Sequence, residues 1–412
     1  MKFVSKKDFT ILLGNAVDHF DTSIYVFIAP TIAPIFFPND NPIIELILAY
    51  SILATSIVTR PLGTYIFGAL ARLYGPGRAL SYSLIGVGFA TMCIGCLPDY
   101  YDIGFIAPIL LILVRMVRDI FASGESAIAK LYILHDKPEK EAFTGSYLYQ
   151  TSTVFGMVLA SSAATLVQYL DIDYAWRICF IFGGVAAVIG YLIRLKILEI
   201  KTVKKKSALK FMTSGSLSVL WKHRINLVRI ALVNSFSHMT YIIPFVTMNH
   251  IVPLVTNIEM KTMMLLSSLV LVFDMLAIPL IGGYIRRFSA EAVMSVASGV
   301  LALTIIPLWY FIDSSSIIYI SIVRFWIVIW GIVFLCPLNL WNSKQVEGDE
   351  KYIVVGMGAA LGACTIGKLS PSICLALFHY SNSHIPIGVY ILLLFIFVFY
   401  ITYSNINKKD LD

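Results

Sequence analysis

Twelve apolar runs, each long enough to cross the roughly 30 Å of hydrocarbon in a bilayer, divide this chain almost from end to end. They lie at about 10–36, 43–70, 79–98, 104–131, 142–169, 177–198, 225–251, 261–285, 291–311, 316–338, 352–378 and 384–404. Backbone polar groups in hydrocarbon must bond to one another, so only helices or closed barrels can cross it. A spanning strand needs about 9–11 residues, so runs of this length are helices. The expected fold is therefore an all-α integral membrane protein of twelve transmembrane helices. Composition agrees, with 58% hydrophobic and 13% charged residues, against about 25% charged in soluble domains. The breaks fall at turn-rich stretches such as "FPNDNP", "YGPGR", "PDYYD", "HDKPEK", "DSSS" and "HYSNSH". An even number of spans places both ends on one side.

Lys and Arg in the short loops decide which side. Lys2, Lys6 and Lys7 precede the first span, and alternate loops carry Arg72 and Arg78, Lys137 and Lys140, Lys201 to Arg224, Arg286 and Arg287, Lys344 and Lys351, then Lys408 and Lys409. The opposite loops carry almost none, Arg177 and Lys261 lying at helix edges. Both termini are expected to be cytoplasmic, with no cleavable signal ahead of the first span. The net charge of +7 follows from this asymmetry, so it is no argument for nucleic-acid binding. Cys93, Cys96, Cys179, Cys336, Cys364 and Cys374 sit in apolar runs and read as small packing residues. The Cys93-x-x-Cys96 spacing has no second ligand pair to complete a metal site.

The basic stretch "LKILEIKTVKKKSALKF" from Leu195 reads as a linker between two six-helix bundles, 1–198 and 225–412, with 199–224 between them. A faint repeat supports two halves. Pro61-Leu62 matches Pro279-Leu280, and Gly68 with Arg72 matches Gly282 with Arg286, at an offset close to half the chain.

Charges inside the first and fourth spans are the candidate chemistry, because ionisable groups at that depth normally face a cavity and mark a pathway. At 1.5 Å per residue, Asp18 and Asp21 lie about 12 to 17 Å into the first span, and Arg115 about 16 Å into the oppositely directed fourth. Asp18, Asp21 and Arg115 can therefore pair near the midplane, either as a proton coupler or as a simple bridge between helices. Asn15, Asp18, Thr22 and Tyr25 recur at helical spacing and share a face. Arg118 and Asp119 either neutralise one another or touch a substrate. Arg324 in the tenth span and Lys368 in the eleventh are candidate carboxylate contacts, and Lys368 is close enough to an end to snorkel. Asp274 in the eighth span has Arg286 or Arg287 as candidate partner. Tyr25, Phe20 and Tyr149 could hold a quaternary ammonium by cation–π attraction, and Pro30 with Pro34 predicts a kinked outer end to the first span.

Several stretches, "GNAVDHFDTSIYVFIAPTIAPIFFP", "RPLGTYIFG" from Arg60, "RMVRDIFASGE" from Arg115, "GSYLYQ" ending at Gln150, and "AWR" at Arg177, together with Gly68-x-Leu-Ala-x-x-x-Gly75-x-x-Arg78, resemble the major facilitator superfamily. Within it they are similar to the metabolite:proton symporters, which include proline/betaine, shikimate, citrate and ketoglutarate carriers. The resemblance implies two six-helix bundles in a bacterial inner membrane, a monomer, and a proton gradient as driving force with no cofactor. It adds Glu125 to the proton-coupling residues and Gln150 to the substrate contacts, and it implies gating at Gly68, Arg72, Gly75 and Arg78. The chain departs from the pattern at Arg72 and Arg286, where an acid is usual, and at Arg118-Asp119, which replaces Gln-Gly.

The expected function is proton-coupled symport of a small metabolite, a zwitterion such as proline or betaine. The lean rests on charge: a dicarboxylate needs two unpaired cations, and pairing of Arg115 with Asp18 or Asp21 leaves mainly Arg324. An organic acid is the alternative, followed by a non-transporting receptor derived from such a carrier. No His-Glu-His cluster, nucleophile motif or phosphate loop points to an enzyme.

Overall fold

A computed structural model describes residues 6–134, 139–170, 172, 174–197, 216–313, 316–346 and 350–409. Most of the basic linker lies outside the described residues. Among those described, the chain forms long helices and no strand. They are α1 (Lys6–Phe36), α2 (Pro42–Ser51, then a 3-10 turn Ile52–Thr55, then Ser56–Tyr74), α3 (Pro76–Gly95), α4 (Ile106–Leu134), α5 (Glu139–Leu170) and α6 (Ala175–Ile197). The later six are α7 (Arg224–Ile242, a π turn Ile243–Thr247, then Met248–Val255), α8 (Met260–Ile285), α9 (Ala290–Tyr310), α10 (Ile317–Ser343), α11 (Glu350–Gly362, a π turn Ala363–Gly367, then Lys368–Ser381) and α12 (Ile385–Lys409). Among the described residues, ten helical stretches are long and apolar enough to cross a membrane. Those of α1 and α4 are not among the ten, and these two helices hold Asp18, Asp21, Arg115, Arg118, Asp119 and Glu125.

Local chemistry explains where the boundaries differ from the apolar runs. "YGPGR" is hardly a loop: α2 continues to Tyr74 and α3 restarts at Pro76, leaving Gly75 alone between them. Gly75 has φ 89°, a conformation open to glycine and costly for other residues, and proline is favoured at the first helical position that follows. In "PDYYD", Asp99 accepts from the backbone N–H of Tyr101 at 3.0 Å and Asp102 at 3.1 Å and caps a short turn, Tyr100–Ile103. α1 remains helical through Pro30 and Pro34 to Phe36. Both π turns have a proline that disturbs the ordinary ladder: Pro244 lies within the first, and Pro371 removes the donor that would meet the carbonyl of Gly367.

The helices gather into two compact units, Met1–Glu45 with Thr55–Lys222, and Leu46–Ala54 with His223–Asp412. All nine residues of the second unit's short segment belong to α2. They are held there by the Tyr50 hydroxyl, 2.6 Å from Nε2 of His250, and by Ser372 donating to the Ile47 carbonyl at 3.4 Å.

Within each unit the helix pairing repeats. In the first, α1 packs on α5 and α3 on α6; in the second, α7 packs on α11 and α9 on α12. The closest approach repeats as well. A Cβ added to Gly156 would lie 2.1 Å from the carbonyl oxygen of Ala16, and one added to Gly362 would lie 2.1 Å from that of Ala231. In lipid, where hydrocarbon is no worse a neighbour than leucine, such small-residue contact is what draws helices together. The faint sequence repeat thus extends into packing. Large apolar side chains such as Leu303 and Leu280 stay exposed, at 81% and 75%, the positions a lipid phase would cover.

Candidate functional site

The charged residues of α1 and α4 form a single buried cluster around Arg118. Its guanidinium bonds to the Asp21 carboxylate through Nε and Nη2, donates from Nη1 to Asp119 at 3.0 Å, and lies 3.6 Å from Asp18. Nη2 also donates to the Thr22 hydroxyl at 2.6 Å and the Asp18 carbonyl at 3.3 Å. Asp21 further accepts from the Thr91 hydroxyl of α3. Arg118 is fully buried, and the three aspartates are nearly so. Three carboxylates around one guanidinium is an unusual balance, because each buried charge needs a partner. Asp18 is the loosest of the three: it makes the longest contact, and its Oδ1 has no hydrogen-bond partner.

Arg115 does not pair with Asp18 or Asp21. It stands over the ring of Tyr25, 4.0 Å from the centroid, with Nε and Nη2 unbonded and no carboxylate within ion-pair distance among the described residues. Arg115 and Arg118 are about 60° apart around the helix axis at almost the same depth, yet one meets Tyr25 and the other the aspartates. One face of the Tyr25 ring is thereby occupied by an arginine.

The remaining candidates of the first unit are dispersed around this cluster. Glu125, also on α4, is held at two points by Arg194 of α6, at 2.6 and 2.5 Å, and Arg194 donates again to the Leu80 carbonyl at 3.1 Å. A Cβ at Gly14 would fall 1.8 Å from Nη2 of Arg194, so that glycine makes room for the ion pair. Asn15 ties α1 to α5, its Nδ2 donating to the Tyr149 carbonyl, Ser152 and Thr153 at 3.2, 2.8 and 2.9 Å. Gln150 is buried beside those acceptors. Gly75 and Arg78 lie at the α2–α3 junction; Gly68 lies within α2, and the side chain of Arg72 lies outside the described residues. Arg194 and Thr91 were not anticipated. A charge inside the sixth apolar run was the available signal for Arg194; Thr91 had none.

In the second unit, Arg324 of α10 is fully buried and bound entirely by neutral groups. It donates to Ser267 at 2.6 Å, Asn249 Oδ1 at 2.7 Å and the Met263 carbonyl at 3.2 Å, and its Nε is unbonded. Lys368 is also buried, directly after the π turn in the middle of α11 rather than near an end. Asp274 is not paired with Arg286 or Arg287. Both arginines are exposed at the end of α8, where Arg287 donates to its own helix at the Tyr284 carbonyl.

Among the described residues, twelve long helices in two units with matching internal packing, and buried charge clusters on particular helices, define an all-α polytopic membrane protein. The family model of the Major Facilitator Superfamily matches residues 11–368, and the chain belongs to that superfamily. Solved structures agree on the fold: the partially occluded inward-open xylose transporter XylE from E. coli superposes with a TM-score of 0.75 over 98% of both chains at 13% identity. Among curated proteins, the proline/betaine transporter of Escherichia coli (strain K12) is 31% identical over 188 residues, 44% of this chain and 37% of that one. The alpha-ketoglutarate permease of the same strain is 32% identical over 217 residues, 51% of this chain and 49% of that one. The matched region therefore spans less than half the length of these relatives.

Proposed function

We propose that this protein is a secondary transporter that couples movement of a small carboxylate-bearing metabolite to protons, with Asp18 as the proton carrier. One observation carries the reading. Arg118 alone is in ion-pair reach of three buried aspartates, Asp18, Asp21 and Asp119, so full ionisation leaves negative charge in excess within that cluster. A proton on Asp18, the least bonded of the three, lowers it. Binding and release of that proton alter the charge that α1 presents to α4, which is the differential interaction a coupled conformational cycle needs. Likeness to the proline/betaine transporter and the alpha-ketoglutarate permease supports the general reading.

The substrate follows from the cations. A zwitterion such as proline or betaine fits the greater number of similar relatives. The organic-acid reading has an observation of its own: Arg115 and Arg324 are both buried without a carboxylate, so each unit offers a positive group to an anion. The loop charges support cytoplasmic termini in the cell's inner membrane.

The test is uptake into vesicles with an imposed pH gradient. Asp18→Asn should abolish accumulation while counterflow exchange persists; accumulation at the wild-type level removes Asp18 from the mechanism. In competition assays, block by ketoglutarate or succinate with no effect of proline and betaine selects the organic acid, and the reverse selects the zwitterion. No uptake across the whole panel favours a receptor. Orientation is checked separately: a reporter after Lys206 should read cytoplasmic and one at Asp313 external, and the opposite pair of readings overturns the topology.

A further inference from the structure

We propose that the second unit carries a proton of its own, on Asp274 of α8. Asp274 lies about 21 Å from the start of that helix and about 17 Å from its end at 1.5 Å per residue, which is mid-depth for a span. It is 4% exposed, and among the described residues its carboxyl group takes part in no ion pair and no hydrogen bond.

The groups around it explain why no cation compensates it. α8 packs on α10, on the π turn of α7 and on the stretch Met248–Val255 that follows it. From α10 comes Cys336, whose thiol lies 4.0 Å from the carbonyl of Ile278, one turn beyond Asp274. From α7 comes Tyr241, whose buried hydroxyl also lacks a partner. The charge of Asp274 acts on both of these groups, and neither is a cation. Arg324 of α10 is bound at the Met263 and Ser267 level of α8, about 10 to 16 Å away along the helix. His250 of α7 is engaged by Tyr50. Arg286 and Arg287 are about 18 Å away along α8, and exposed.

The contrast with the first unit is the argument. There each buried acid, Asp18, Asp21, Asp119 and Glu125, touches an arginine. α8 and α10 pack together and carry one acid and one arginine, yet the two are kept apart. An ionised carboxylate without a counter-charge is strongly disfavoured in such surroundings, and the group neutralises by binding a proton. Tyr241 lies two residues before the π turn of α7, and π turns are frequent at functional sites. Asp274 is thus a proton site beside a helix with a π turn, independent of the Arg118 cluster. Its role in coupling rests on the transport reading above; its protonation does not.

The experiment is infrared spectroscopy of the purified full chain in liposomes, read at the carbonyl band of protonated carboxyl groups. Wild type should show a component that weakens as pH rises, shifts in deuterium oxide, disappears in Asp274→Asn and moves in Asp274→Glu. It should survive Asp18→Asn, which separates the two sites. Superimposable spectra for wild type and Asp274→Asn, both folded by thermal unfolding, overturn the proposal. If the band is present but no substrate is accumulated, the transport reading fails and the proton site stands. If uptake is proton-driven, Asp274→Asn should lower the number of protons moved per substrate; an unchanged ratio overturns the coupling role.

Discussion

Arg118→Leu should be among the most damaging single substitutions in the first unit. It removes the guanidinium that bonds to Asp21 and Asp119 and neighbours Asp18, leaving three buried carboxylates without it. Breaking a buried ion pair from one side costs about 3–5 kcal/mol, and here three carboxylates lose one partner together. The expected result is little protein in the membrane and a sharply lowered unfolding temperature for what is recovered. Arg118→Lys should restore part of the loss only, because an ammonium is a point charge and cannot reproduce bonds from Nε, Nη1 and Nη2 to separate acceptors. Thermal unfolding in detergent measures both variants. Wild-type stability of Arg118→Leu would mean that the aspartates are neutral or hydrated and that the charge count behind the Asp18 reading is wrong.

The Glu125–Arg194 pair should behave differently, and the difference separates structure from chemistry. Glu125→Leu and Arg194→Leu should each destabilise by about 3–5 kcal/mol, because each leaves a buried charge unpaired. The double variant should recover most of that loss, since an apolar pair of similar volume often replaces a buried ion pair without penalty. Gly14→Ala should resemble Arg194→Leu, because the new methyl occupies the space of Nη2. A stability measurement on the four proteins closes the cycle. Recovery in the double variant with gradient-driven accumulation intact assigns Glu125 to holding α4 against α6. Loss of accumulation in a stable double variant returns Glu125 to the proton pathway.

Much of this architecture was legible before any coordinates, and the reason is the solvent. Hydrocarbon forces long apolar runs into helices and makes each charge within them conspicuous, so Asp18, Asp21, Arg115, Arg118, Asp119 and Arg324 stood out against their surroundings. The partner of the aspartates was not legible. Counting residues along a helix yields depth reliably, and Arg115 and Arg118 differ by only about 4.5 Å in depth. Their azimuth depends on how α4 rotates against α1, and a shift of less than half a turn exchanges their neighbours. The same limit hid the Arg194 grip on Glu125, which joins residues far apart in sequence, and the role of Gly14, a glycine whose missing Cβ matters only because a guanidinium lies beside it.

The chain by itself determined its class and its long apolar helices, because these depend on local composition and periodicity. The tertiary structure alone decided which arginine serves three aspartates, which one rests on Tyr25, and which acid, Asp274, is left without a cation. Those outcomes depend on helix rotation and close approach, set by contacts such as Gly156 on Ala16 and Gly362 on Ala231, where the absence of a side chain brings two backbones together and fixes what every neighbouring side chain can reach.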